Sequence, residues 1–219
     1  MNKGFSLLEM TFVLLALSFL LTGLLSPLSV RMTQSQIRQT DEQLKQAIEA
    51  LIGFAILQNR LPCPDTTNDG REDTANCDLE GDLPWADLGI NGKDVWNKVL
   101  RYRVQNNFTV AAGITAITAP CALTSTTCPF KILRKDNTKL SVVTGDTNVV
   151  AIMFSYGKNA KGDGDNANTN TSSDRTYTMD DFLEDKDNVS PDNTFDDQMI
   201  WLSKNELFYR MVTANTIYP

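Results

Sequence analysis

Residues 1–25, MNKGFSLLEMTFVLLALSFLLTGLL, decide the fold. A charged tetrapeptide ending at Gly4 meets an apolar run, Phe5 to Leu25, broken by a single ionisable residue, Glu9. At about 1.5 Å per helical residue the run is roughly 30 Å long, the thickness of a bilayer's hydrocarbon core. A carboxylate that far inside lipid costs on the order of a few kcal/mol near the bilayer centre, so it implies a partner. The plainer alternative keeps Glu9 at the interface, its head snorkelling to water.

The hexapeptide Gly4-Phe5-Ser6-Leu7-Leu8-Glu9 resembles the processing site of type IV prepilins and of the pseudopilins of type II secretion. The resemblance covers about the first 30 residues. It implies that a dedicated prepilin peptidase and methyltransferase cuts after Gly4 and methylates the new amine of Phe5, and that Glu9 sets register against a neighbouring subunit's N-terminus. An ordinary secretory signal carries its cleavage site after the apolar region. Here the glycine comes first, so processing leaves the apolar helix attached. The expected localisation is the inner membrane, single-pass, with the head in the periplasm and later in a filament. The partners so implied are membrane lipid, other pilin or pseudopilin subunits, and the assembly platform with its ATPase.

The helix is expected to continue. From Ser29 to Asn59 the only Gly or Pro is Gly53, and Ile37, Leu44, Ile48, Leu51 and Ala55 recur at spacings of seven, four, three and four. That is one apolar stripe, with Asp41, Glu42, Lys45, Gln46 and Glu49 largely off it. Leu61-Pro62-Cys63-Pro64 should end the helix, because proline disfavours helix at the residue before it. The organisation that follows is a leader at 1–4, a transmembrane and assembly helix at 5–28, its amphipathic continuation at 29–60, and a β-rich head at 61–219. The expected fold class is α+β, and the resemblance implies a pilin-like form of it: a long N-terminal helix packed on an antiparallel sheet, with long disulfide-stapled loops.

Within the head, Leu100–Val104 alternates apolar and charged residues as a half-buried strand does. Phe108–Ala119, Phe130–Leu133, Asn148–Phe154 and Gln198–Leu202 are further candidate strands, Asn148–Phe154 being a central one. Ser203 and Glu206 have capping-box spacing and introduce a short helix through about Val212. Trp85 and Trp96 read as core anchors.

Four cysteines, Cys63, Cys77, Cys121 and Cys128, all lie outside the apolar run. An even count in a translocated domain reads as two disulfides. Of three pairings, Cys63–Cys77 and Cys121–Cys128 are favoured because each closes a short, turn-rich loop. Zinc is the metal alternative, at spacings that suit it poorly. Acidic loops raise the question of structural calcium. Asp163, Asp165 and Asp174 crowd with Asn166, Asn168 and Asn170, and Asp196 and Asp197 precede the last strand. Ca²⁺ requires hard oxygen ligands of this kind, six to eight at a time. The resemblance adds weight, since major pseudopilins bind calcium in a C-terminal loop. Asp65-Thr66-Thr67-Asn68-Asp69-Gly70 with Asp73 is a second cluster, lacking the Glu an EF-hand needs at its twelfth position. A solvated acidic loop is the alternative for both.

The net charge of −7 argues against a nucleic-acid surface, and the absence of histidine removes the commonest general base and catalytic ligand. With no phosphate loop or nucleophile elbow either, an enzyme is not expected. The resemblance at Gly4 to Glu9 implies a structural subunit of a type IV pilus or type II secretion pseudopilus. The other classes are a minor tip pilin that binds a surface, DNA or secreted cargo, and a membrane-anchored periplasmic binding domain that never polymerises.

Overall fold

The structure is a computed structural model. It describes residues 6–77, 79–110, 113–114, 130–135, 140–144, 149–162, 166, 176–180 and 196–215. The side chains at 21–30, 131, 133–135, 140–144, 176 and 178–180 lie outside that description. The chain divides into two units, Met1–Gln39 and Thr40–Pro219.

Helix α1 (Leu7–Gln58) begins in the first unit and ends in the second. In the first unit, every described side chain from Ser6 to Leu20 is exposed. In the second, Leu44, Ala47, Ile48, Leu51, Ile52 and Ala55 are buried, which adds Ala47 and Ile52 to the expected stripe; its first member, Ile37, lies in the first unit and is only half-buried. The helix stops at Gln58, earlier than the prolines require. Asn59 takes the left-handed conformation (φ 54°), a stop that asparagine tolerates better than most residues. Its carbonyl accepts the Ile114 N–H at 2.8 Å.

The remaining elements are β1 (Gly81–Asp82), α2 (Trp85–Leu88), β2 (Arg101–Val104), β3 (Lys131–Lys135), β4 (Leu140–Thr144), β5 (Val149–Ser155), β6 (Thr176–Asp180), β7 (Gln198–Ser203) and α3 (Lys204–Thr213). A four-stranded antiparallel sheet has the order β1-β2-β5-β7. A second sheet, β4-β3-β6, pairs β3 with β4 antiparallel but β3 with β6 parallel. The head is therefore α+β as expected, yet not purely antiparallel and not one sheet. The expected strand at Phe108–Ala119 is corrected at its start. Asn106–Phe108 is a 3-10 turn with Phe108 buried, and 111–112 and 115–119 lie outside the described residues.

Strand β5 explains why Val149–Phe154 is apolar throughout: it is buried on both faces. Val150, Ala151 and Met153 join Leu44, Leu51, Tyr102, Val104, Leu202, Leu207 and Met211 in a core against α1 and α3. Val149, Ile152 and Phe154 join Phe130, Ile132 and Tyr177 in a second core against the other sheet. An irregularity in the pairing between Val149 and Ala151 places two consecutive residues, Val150 and Ala151, on the same core. At roughly 1.5–3 kcal/mol for each large apolar side chain buried, these two layers dominate the stability of the head. Helix α3 starts as its capping-box spacing requires, with the Ser203 hydroxyl accepting the Glu206 N–H at 3.2 Å.

Candidate functional site

The N-terminal segment is the first candidate. Gly4 and Phe5 lie outside the described residues. Glu9 sits in the first turn of α1, exposed, among Leu7, Leu8, Met10, Phe12 and Val13, which are 50–87% exposed. Leu14, Leu15, Leu17, Phe19 and Leu20 continue the exposed apolar surface. The hydroxyls in this stretch turn inward along the helix: Thr11 donates to the Leu8 carbonyl at 2.7 Å and Ser18 to those of Leu14 and Leu15 at 3.1 and 2.9 Å. Such back-bonding hides a hydroxyl from an apolar surround. Glu9 has no hydrogen-bond or ion-pair partner among the described residues. No helix among the described residues is long and apolar enough to cross a membrane. The described side chains of the apolar run stop at Leu20, short of the ~20 residues a span needs.

The second candidate, the Asp65 loop, is closed by the Cys63–Cys77 disulfide, whose Cα atoms are 4.6 Å apart. This is the pairing favoured from loop length; Cys121 and Cys128 lie outside the described residues. The carboxylates here face backbone amides. Asp65, 1% exposed, accepts the N–H groups of Thr67, Asn68 and Gly70 at 2.9, 2.7 and 2.7 Å. Gly70 has φ +83° and lies against the Trp85 ring, so a side chain there is excluded twice over. Asp73 accepts the N–H and hydroxyl of Thr66 at 2.6 and 2.7 Å, which hold its carboxyl below the usual range. Glu72 takes a two-pronged ion pair from Arg60 at 2.5 and 2.7 Å and the Cys63 N–H at 3.0 Å. Burial alone would raise the Glu72 pKa, but Arg60 and the Cys63 N–H outweigh it and lower it. This loop is built as an amide cradle, with both carboxylate oxygens of Asp65 and Oδ2 of Asp73 already engaged by protein donors. Trp85, expected as a core anchor, is 39% exposed, packed on Gly70 and Gly92.

Of the acidic residues proposed for calcium, Asp163, Asp165 and Asp174 lie outside the described residues. Asp196 accepts the Asn159 N–H at 2.9 Å, and Asp197, 2% exposed, accepts from the Asn166 side-chain amide at 2.9 Å. Among the described residues, no group of three or more His, Cys, Asp or Glu is arranged to hold a metal ion.

A buried charged cluster was not read from the sequence. The alternation in Leu100–Val104 assigned Arg103 to solvent, whereas it is fully buried, because the second sheet covers that face of β2. Arg103 donates to the Tyr177 hydroxyl at 3.2 Å, and Tyr177 donates to Glu80 at 3.1 Å. Arg101 donates to Glu80 at 3.2 Å and to Asp82 at 2.5 Å. Burial, reinforced by Glu80, pushes the Tyr177 phenol well above its usual range, so it stays protonated and donates. Asp94 similarly gathers the N–H groups of Trp96 and Lys98 and the Ser155 hydroxyl at 2.9, 2.8 and 2.6 Å. The only sequence signal was a pair of arginines, Arg101 and Arg103, on either side of Tyr102 in one strand. These groups fix the two sheets and their loops to one another.

Compared with known proteins, the chain matches no family model, no curated protein and no solved structure.

Proposed function

We propose that the chain is a structural subunit of a type IV pilus or type II secretion pseudopilus. In this reading it is inserted in the inner membrane with its head in the periplasm, cut after Gly4, methylated at Phe5 and polymerised through α1. The observation that carries the reading is the exposed apolar surface of Leu7–Leu20 with Glu9 its one ionisable group. Side chains 48–87% exposed, each worth roughly 1.5–3 kcal/mol on burial, favour a cover of lipid or neighbouring helices. Exchanging lipid for like helices is nearly neutral in hydrophobic terms, so a charge pair can decide register. Glu9 supplies the acid, and cleavage would supply an amine one helical turn away. The Cys63–Cys77 bridge fits an oxidising compartment.

Replacing Glu9 by Ala tests this reading. A polymerising subunit loses incorporation into sheared filaments or secretion-dependent assemblies while remaining in the membrane fraction. Unchanged incorporation of Glu9→Ala, or a wild-type protein that stays monomeric, refutes it. The monomeric outcome would favour the anchored binding domain. Scarcity in sheared filaments, confined to their ends, would favour the tip pilin.

A further inference from the structure

We infer that the outward face of α1 in the head docks a second copy of this chain, through the Arg31–Arg38 stretch of that copy. The inference rests on the assembly reading above and names a contact that reading does not contain. Opposite the buried stripe, the exposed side of α1 carries Glu42, Gln46, Glu49 and Leu57, with half-exposed Gly53 between them. Glu42 and Glu49 are seven residues apart, two helical turns, and so share a face.

Gly53 is the anomaly on this face. Glycine inside a helix costs about 1 kcal/mol relative to alanine. A Cβ built there meets nothing within 4 Å, so no contact within the described chain requires glycine. One turn beyond Glu49, it leaves a notch where a second helix backbone can come close. Leu57, one turn further, is 82% exposed.

Charge complementarity identifies the occupant. Arg31 and Arg38 are exposed, also seven residues apart, and make no ion pair among the described residues; neither does Glu42. Each arginine precedes its matching carboxylate by eleven residues: Arg31 to Glu42 and Arg38 to Glu49. Two parallel copies staggered by eleven residues, about 16 Å along a helix, bring both pairs together at once. Lys45 shares the face, is paired with Asp41 at 2.6 Å, and in that register meets the neutral Gln34. Glu49 is bonded to Arg210 but remains half-exposed, with room to accept a second donor. The Glu9 contact needs a stagger of about four residues, so the two contacts belong to different neighbours in the array.

The test uses the full-length protein in assembled filaments or membrane oligomers. Two tagged forms, Arg38→Cys and Glu49→Cys, are co-expressed and oxidised, with Arg31→Cys plus Glu49→Cys as the off-register control. A mixed-tag disulfide dimer in the first pair and not in the control supports the contact. Reversing both arginines (Arg31→Glu with Arg38→Glu) should lower assembly by about tenfold, and adding Glu42→Arg with Glu49→Arg should restore it to within about threefold. Wild-type assembly without the mixed dimer, or a charge swap that fails to restore assembly while the head melts normally, overturns this contact and leaves the assembly reading standing. A wild type that never assembles overturns both.

Discussion

Replacing Asp65 by Asn asks whether the loop closed by Cys63–Cys77 is held by its own amides. In the wild type, Oδ1 of Asp65 accepts from Thr67 and Asn68, and Oδ2 accepts from Gly70, with the residue 1% exposed. If the asparagine oxygen keeps the first two bonds, its NH₂ group faces the buried Gly70 N–H, donor against donor. An unsatisfied buried donor costs about 1–3 kcal/mol, and loss of charge assistance in the other two bonds adds roughly 1 kcal/mol. The sum is about 3 kcal/mol, or a fall in Tm of roughly 6–12 °C for a domain of this size. Thermal and urea unfolding of the full-length protein in detergent, with and without millimolar Ca²⁺, measures it. The expected result is that destabilisation and an equal response of wild type and variant to calcium. A change below about 0.5 kcal/mol, within the range of ordinary surface substitutions, refutes the amide cradle. So does a wild-type stabilisation by calcium that Asp65→Asn abolishes, which would return the loop to the metal reading.

Glu72→Gln should change the acid limb of the stability curve. Because the folded Glu72 pKa is held below the usual value near 4.3, its contribution is complete above that pH and is lost as the pH falls through the folded value. The variant should be about 1–2 kcal/mol less stable at pH 7 and show a flatter decline below about pH 4.5, by urea unfolding at several pH values. An unchanged acid limb contradicts the Arg60–Glu72 assignment. Ser203→Ala removes the cap of α3 and should cost about 1 kcal/mol, whereas Ser203→Gly should cost only a few tenths. Equal losses in the two variants would mean the hydroxyl does not cap.

The helix and the central strand were legible because their patterns belong to single elements. Leu44, Ile48, Leu51 and Ala55 show one buried side at helical spacing, and Val149–Phe154 shows a strand with no solvent face. The cap at Ser203 was legible for the same reason, since its partner is three residues away. What failed was anything set by distant chain. Arg103 looked solvent-facing because the sheet that covers it is built from β3, β4 and β6, and Tyr177 lies 74 residues away. Strands β4 and β6 carry short mixed sequences whose pairing, parallel in one case, no local period encodes. The Asp65 loop offered the oxygen spacing of a cation site, but spacing cannot say that backbone amides fill it. For the N-terminal segment, sequence supplied the motif at Gly4 to Glu9, and the structure adds the exposed surface around Glu9.

The most direct test is an intact-mass measurement, with N-terminal peptide mapping, of the protein taken from membranes and from sheared filaments of its own host. A chain that lacks Met1 to Gly4, begins at a methylated Phe5 and is recovered in both fractions is the predicted outcome. Recovery only as an unprocessed polypeptide still carrying Met1, solitary in the envelope, would contradict the reading of α1 as a polymerising helix.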